Sequence, residues 1–275
     1  MLPQILIAAG IVASIGLICG IVLAVSAKIL AVKEDKLVKA LRDCLPGANC
    51  GACGYTGCDS YAKALSTGEK TNLCVPGAGT VSHKIADVLG VDAEHVVEMV
   101  AVVSCNGHCN ATGPKQNYVG VQNCAAASLI YGGTGKCVFG CLGYGDCASV
   151  CPNGAICIGD DVARIDVSKC TGCGMCAKAC PKHLITLMPE VRKTMIMCSN
   201  REKGAVARKK CLNSCIACKK CENNCPNDAI HIVNNLAVMD FDKCTDCGIC
   251  ASVCPTHIIH KRDVPGMHRV IGGPL

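Results

Sequence analysis

Three stretches of the chain share one cysteine spacing without exception: CTGCGMCAKACP at 170–181, CIACKKCENNCP at 215–226 and CTDCGICASVCP at 244–255. Each reads C-x2-C-x2-C-x3-C-P, and no other feature restricts the fold as tightly. Thiols this close in sequence pair poorly with one another, so the runs must serve something that several sulfurs share. The runs are also part of a repeat. A shift of 74 residues lays 137–190 on 211–264 without a gap. Cys137, Cys141, Cys147, Cys151, Cys170, Cys173, Cys176 and Cys180 then fall on Cys211, Cys215, Cys221, Cys225, Cys244, Cys247, Cys250 and Cys254, and Pro152 and Pro181 on Pro226 and Pro255. The one disagreement in this set is Tyr144, which faces Cys218, and upstream Cys124 falls on Cys198.

The spacing is that of bacterial two-cluster ferredoxins, in which three neighbouring thiolates hold one [4Fe–4S] cube and the fourth reaches the other. Composition agrees. Of 275 residues, 28 are Cys, none is Trp, two are Phe and five are Tyr. A core this poor in aromatic side chains needs metals or disulfides to hold it. A disulfide scaffold belongs to a secreted chain, and no cleavable secretory signal is present. Zinc is the remaining chemical alternative. The expected fold class is α+β: one N-terminal transmembrane helix, a small 4Fe–4S domain and two tandem bacterial-type dicluster ferredoxin folds. The expected divisions are 1–27, a transmembrane helix; 28–80, a membrane-proximal 4Fe–4S domain; 81–130, a helical, cysteine-containing linker; 131–190 and 191–265, the two ferredoxin units; and 266–275, a tail.

The ferredoxin pattern assigns ligands. In the second unit Cys215, Cys218, Cys221 and Cys254 are expected on one cluster, and Cys244, Cys247, Cys250 and Cys225 on the other. In the first, Cys170, Cys173, Cys176 and Cys151 make a full set. Cys141, Cys147 and Cys180 need a fourth ligand, because Tyr144 replaces a thiolate poorly. Two readings stay open. Cys137 completes this set, or it joins Cys105, Cys109 and Cys124 in a separate cluster and leaves the ferredoxin site with three thiolates. Nearer the N-terminus, Cys50, Cys53, Cys58 and Cys74 have spacing C-x2-C-x4-C-x15-C, with glycines between them for tight turns. One pair followed by a C-x4-C step favours iron–sulfur over two zinc-type pairs. The cofactors are therefore five or six [4Fe–4S] clusters. Cys44, Cys157, Cys198 and Cys211 are left without a role, and Cys19 reads as a small apolar filler.

From Ile5 to Ala27 the chain carries no charge, a length that spans a bilayer as a helix. The start lacks the basic residues of a signal peptide. Lys28, Lys33 and Lys36 follow the run, which places the bulk of the chain on the cytoplasmic side. Residues 28–43 read as a short helical linker, and DSYAKALSTGEK as one helix. VSHKIADVLGVDAEHVVEMV reads as a helical hairpin broken at Gly90, with His83 and His95 on its surface. AICIGDDVARIDVSKC and AIHIVNNLAVMDFDKC read as strand–turn–strand, with turns at Gly159–Asp160 and Asn234–Asn235. Between Val191 and Lys220 there are nine Lys or Arg against one acidic residue, Glu202. Stacking aromatics are missing, so nucleic acid is excluded as a partner. The stretch is either a face that steers an acidic electron carrier or an ordinary solvated surface. YGGTGKC lacks phosphate-loop spacing. No C-x-x-C-H haem site and no dinucleotide fingerprint occurs, so the chain has no complete active site for NAD and hydride chemistry happens elsewhere.

One apolar N-terminal span, then LPGANCGACGYTGC, then ferredoxin units: this arrangement resembles the B subunit of the Rnf complex, in the long form with CLGYGDC typical of clostridia and related anaerobes. The resemblance implies an electron-transfer subunit of a membrane-bound translocase, a ferredoxin:NAD oxidoreductase that moves Na+ or H+. It implies reduced ferredoxin and the membrane and flavin-bearing subunits as partners, at the cytoplasmic membrane. It also implies that Cys50, Cys53, Cys58 and Cys74 hold the membrane-proximal cluster. A polyferredoxin subunit of a hydrogenase or heterodisulfide-reductase assembly is the alternative within electron transfer, and a zinc-rich scaffold the alternative outside it.

Overall fold

The computed structural model describes residues 2–29, 35–94 and 96–261. Lys33, His95 and the expected tail lie outside the described residues. Helix α1, Leu2–Ile29, is 28 residues long. Its side chains are described at Gly10 and over 13–26. Ile15, Leu17, Ile18, Ile21, Val22 and Leu23 project from it uncovered. Apolar residues on every side give this helix no stripe to lay on a protein core. Among the described residues no helix is long and apolar enough to cross a membrane.

A small helical body follows. Helix α2, Lys36–Cys44, starts where the Asp35 carboxylate accepts from Leu37 N at 3.0 Å. Helix α3, Cys58–Ser66, and helix α4, Ala78–Leu89, close on it around Leu41, Leu45, Tyr61, Leu65, Val81 and Ile85. Tyr61 is 1% exposed, and its hydroxyl is satisfied by donating to Lys70 O at 2.7 Å. Helix α4 ends at Gly90, whose φ of 67° makes the left-handed cap that glycine tolerates. The second helix of the expected hairpin does not form. Met99–Val103 is instead strand β1, because its β-branched run pairs antiparallel with β4, Ile185–Pro189. The strand that closes the first ferredoxin unit thus comes from the stretch read as linker.

Each unit has one hairpin and one pair of strands distant in sequence. In unit 1, β2 (Ile156–Gly159) and β3 (Val162–Ile165) form the hairpin and β1 pairs with β4. In unit 2, β6 (Ile230–Val233) and β7 (Leu236–Met239) form the hairpin, and β5 (Thr194–Ile196) pairs with β8 (Ile259–Lys261). The unit 1 turn sits at Asp160–Asp161, one residue later than expected, with φ of 51° and 65°; Asn234 and Asn235 match it at 50° and 62°. Two consecutive positive φ values suit the twist of a two-residue hairpin, and Asp and Asn tolerate them. Short helices α6 (Asp146–Ser149) and α7 (Met175–Ala179) in unit 1 correspond to α9 (Lys220–Asn223) and α10 (Ile249–Ser252) in unit 2. Two further helices, α5 (Cys124–Leu129) and α8 (Gly204–Lys210), lie in the connections ahead of the first cysteine runs.

The cores are aliphatic on one side and sulfur on the other. Ile156, Ile165, Leu184 and Ile185 pack against Cys105, Cys147 and Cys176 in unit 1. Ile230, Leu236, Ile258 and Ile259 pack against Cys215, Cys221, Cys250 and Cys254 in unit 2. The strands therefore stand as a wall behind the cysteines.

Candidate metal centres

Cys50, Cys53, Cys58 and Cys74 line one cavity of about 20 Å³. Asn49 shapes its rim by accepting from Cys58 N at 2.9 Å. Gly77 is required beside it, since a Cβ there would stand 2.2 Å from Val81 Cγ2 and 3.1 Å from Cys74 Sγ. Cys151, Cys170, Cys173 and Cys176 line a second cavity. Cys225, Cys244, Cys247 and Cys250 line a third. Cys215, Cys218, Cys221 and Cys254 also gather, for the Cys221 thiol feels the charges of the other three. Each of these four groups is one that the spacing paired.

Two groups differ from expectation. Cys141, Cys147 and Cys180 share their cavity with Cys124, not with Cys137. Cys124 opens α5, and the Asp146 carboxylate grips that helix start by accepting from Cys124 N at 2.8 Å and Ala125 N at 3.0 Å. Asn123 caps the same turn, accepting from Ala126 N at 2.7 Å. Cys137 lies elsewhere, on a cavity of about 30 Å³ with Cys105, Cys198 and Cys211, which Cys141 of the neighbouring set also borders. Neither open reading of Cys137 therefore matches the structure, and the group of Cys105, Cys109, Cys124 and Cys137 is divided. Cys109 is exposed and near neither cavity wall; its N–H donates to Asp160 O at 3.1 Å. Cys44 donates to Ala40 O, Cys157 is exposed on β2, and Cys19 is exposed on α1.

The strand registers explain what the gapless repeat concealed. Val103 pairs with Ile185, and Ile196 pairs with Ile259. Ser104 N donates to Leu184 O, and Met197 N to Ile258 O, each at 2.7 Å. Cys105 and Cys198 therefore occupy equivalent places just past the first strand of each unit. Cys124 has no equivalent; it belongs to the longer connection of unit 1. Spacing leaves Cys198 and Cys211 without a role because their partners come from the other unit.

All 28 cysteines are free of disulfides, crowded as they are. Burial pushes the thiol of Cys74 up to about 11, those of Cys105 and Cys147 to about 12, and those of Cys176, Cys211, Cys221 and Cys250 to about 11. Neighbouring sulfurs add to the rise in each case. Thiols so placed ionise only when a cationic centre compensates them. The sulfurs are also provided with donors. Backbone N–H groups reach Cys170, Cys151, Cys180, Cys225 and Cys244 at 3.3–3.4 Å. Such donors favour the thiolate and tune a bound cluster. Thr194 is 1% exposed, lines the Cys250 cavity, and has a hydroxyl without a protein partner. Among the described residues no three His, Cys, Asp or Glu close on one ion. The sulfurs stand around voids, an arrangement suited to a cube with irons at its corners.

Family models match the same segments. One described as "Putative Fe-S cluster" covers 45–76, a 4Fe-4S binding domain covers 163–186, and a 4Fe-4S dicluster domain covers 214–258. The chain is 42% identical over 261 residues to the B subunit of the Na(+)-translocating ferredoxin:NAD(+) oxidoreductase complex of Acetobacterium woodii, covering 94% of this chain and 78% of that one. The chain belongs to the Rnf complex B-subunit family. Another member, the B subunit of the proton-translocating ferredoxin:NAD(+) oxidoreductase complex of Clostridium ljungdahlii, is 41% identical over 89% of this chain and 88% of its own. The B subunit of the ion-translocating oxidoreductase complex of Methanosarcina acetivorans is 34% identical over 92% and 96%. The B-subunit likeness thus runs through the helical body, both units and the connection between them.

Proposed function

We propose that this chain is the electron-transfer subunit of a membrane-bound, ion-translocating ferredoxin:NAD oxidoreductase. In this role it takes electrons from reduced ferredoxin and passes them through [4Fe–4S] clusters to membrane and flavin-bearing subunits. The observation that carries the reading is the gathering of cysteines in fours, each group with at least one buried thiol, along one chain of the B-subunit family. Cys50, Cys53, Cys58 and Cys74 hold the proximal cluster. Cys151, Cys170, Cys173 and Cys176 hold one cluster of unit 1, and Cys124, Cys141, Cys147 and Cys180 the other. Cys215, Cys218, Cys221 and Cys254, with Cys225, Cys244, Cys247 and Cys250, hold the pair in unit 2. The bound clusters supply one-electron redox chemistry; the chain's own residues bury them, fix their spacing and set their potentials through N–H donors.

Residues Ile5–Ala27 anchor the subunit in the membrane, with the bulk on the cytoplasmic side. The uncharged, apolar run of the sequence from Ile5 to Ala27 supports that anchor. Reduced ferredoxin docks on unit 2, where exposed Arg208, Lys209, Lys219 and Lys220 favour an acidic carrier. Electrons leave from the proximal cluster, which the anchor holds near the bilayer. The test is Cys58→Ser in the assembled complex. Ferredoxin-driven NAD reduction should be lost while the complex stays intact; full activity would exclude the route. A colourless, iron-free wild-type chain purified without oxygen would exclude the electron-transfer reading altogether.

A further inference from the structure

The cavity walled by Cys105, Cys137, Cys198 and Cys211 belongs to neither unit. Cys105 and Cys137 come from unit 1, and Cys198 and Cys211 from unit 2. The contributions are equivalent. Each unit gives the cysteine two residues past its first strand and the cysteine four residues ahead of its first run. The two units thus contribute matching pairs of chain positions to one cavity. Cys105, Cys198 and Cys211 are at most 8% exposed.

The surroundings are those of a built site. Cys105 Sγ accepts from Gly107 N and Cys141 N, both at 3.4 Å, and Cys198 Sγ accepts from Cys215 N at 3.3 Å. Asn200, 1% exposed, turns its side-chain amide to Cys137 Sγ at 3.5 Å. Ser214, 0% exposed, lines the same cavity with a hydroxyl that has no protein partner. Hydrogen bonds between the units frame the walls: Ser199 Oγ to Ser104 O at 2.8 Å, Thr112 Oγ1 to Lys210 O at 2.8 Å, and Leu212 N to Ala111 O at 2.7 Å. Four converging thiols, three of them buried, with N–H donors match the donor set of the other sites.

The geometry points to a further [4Fe–4S] cluster held by Cys105, Cys137, Cys198 and Cys211, which joins the clusters of the two ferredoxin units into one continuous electron path. The inference rests on the electron-transfer reading above and adds the connection that it lacks. Two of the N–H groups that touch this site are those of Cys141 and Cys215, themselves assigned to the adjoining cluster on either side. At the far end of unit 1, Lys178 Nζ donates to Cys50 O at 3.1 Å, setting the proximal site beside α7 and Cys176. The order along the molecule is then the proximal set, the Cys176 set, the Cys147 set, the junction, the Cys221 set and the Cys250 set. One electron enters the junction from one side and one leaves on the other, with no proton transferred and no bond made.

The experiment is iron and acid-labile sulfide on the full chain, purified in detergent without oxygen, for wild type and Cys211→Ser. Wild type should carry about 24 irons and the variant about 20. Mixed rapidly with reduced ferredoxin, the variant should bleach in two phases, because one unit is cut off from the other; wild type should bleach in one. A wild-type count of about 20 overturns the junction whatever the variant does, as does a variant that keeps its iron or bleaches like wild type. A chain with no iron at all fails the electron-transfer reading instead, so the two failures are distinct.

Discussion

Unit 2 fills its Cys221 set from its own two cysteine runs, whereas unit 1 carries Tyr144 at the position of Cys218 and takes Cys124 from outside its runs. Three differences travel together. The connection from first strand to first run spans 104–140 in unit 1 and 197–214 in unit 2. Tyr144 packs on Tyr118 from that longer connection, ring centroids 6.0 Å apart. Asp146, which holds the start of α5, corresponds to Lys220. On the proposed assignment, a lost ligand, its replacement and the clamp that positions the replacement form one substitution spread over three places. A sulfur site can therefore keep its place in a fold while one of its ligands moves to a different part of the chain.

The largest expected effect breaks the equivalence directly. Cys218→Ser should cost about four irons per chain, or leave a three-iron cluster visible by EPR, while Tyr144→Phe should leave the iron content unchanged. The same assay exchanges the two solutions. Cys124→Ser alone should lose about four irons, and Cys124→Ser combined with Tyr144→Cys should regain them. Wild-type iron in Cys124→Ser would mean that Cys124 is not a ligand.

Smaller effects sharpen the contrast through stability. Arg164 is buried with its guanidinium on Asp160 at 2.6 Å, where unit 2 has Val238 and Asn234. Asp160→Asn should destabilise unit 1 by about 2 kcal/mol, because it leaves a largely buried cation without its partner, the solvent-facing aspartate moderating the loss. Thermal unfolding followed by cluster bleaching reads this, and Asn234→Asp, which keeps the turn conformation, should move unit 2 far less. Asp146→Ala should cost about 1 kcal/mol by uncapping α5, and should speed iron loss from the Cys147 set under a chelator. Lys220→Ala should change neither.

The ligand groups that follow the ferredoxin run were legible in the sequence because the spacing alone brings three sulfurs together and sends the fourth to a neighbour. The Cys53 group was legible for a similar reason: its ligands lie close together and one helix spans the gap. The path of Cys124 was not, since nothing in its neighbourhood states that α5 returns to Asp146. Nor was the fate of Cys137. A gapless shift put Cys124 on Cys198, and only the strand registers show that Cys105 is the true counterpart. Strand β1 was missed for a related reason. Its apolar run suits a helix or a strand equally, and the partner that decides between them, Ile185–Pro189, lies far along the chain.

The division of ligands between distant segments has a consequence for the order in which the molecule is made. The Cys53 set is complete once residue 74 has been synthesised, and can be loaded while the rest of the chain is still being translated. On the proposed junction, Cys105 and Cys137 must stay reduced and vacant until Cys198 and Cys211 have left the ribosome. Cluster insertion therefore cannot follow the chain from beginning to end. The centre of the wire closes only after both units exist, and interrupted translation yields a chain with its first site loaded and its junction open.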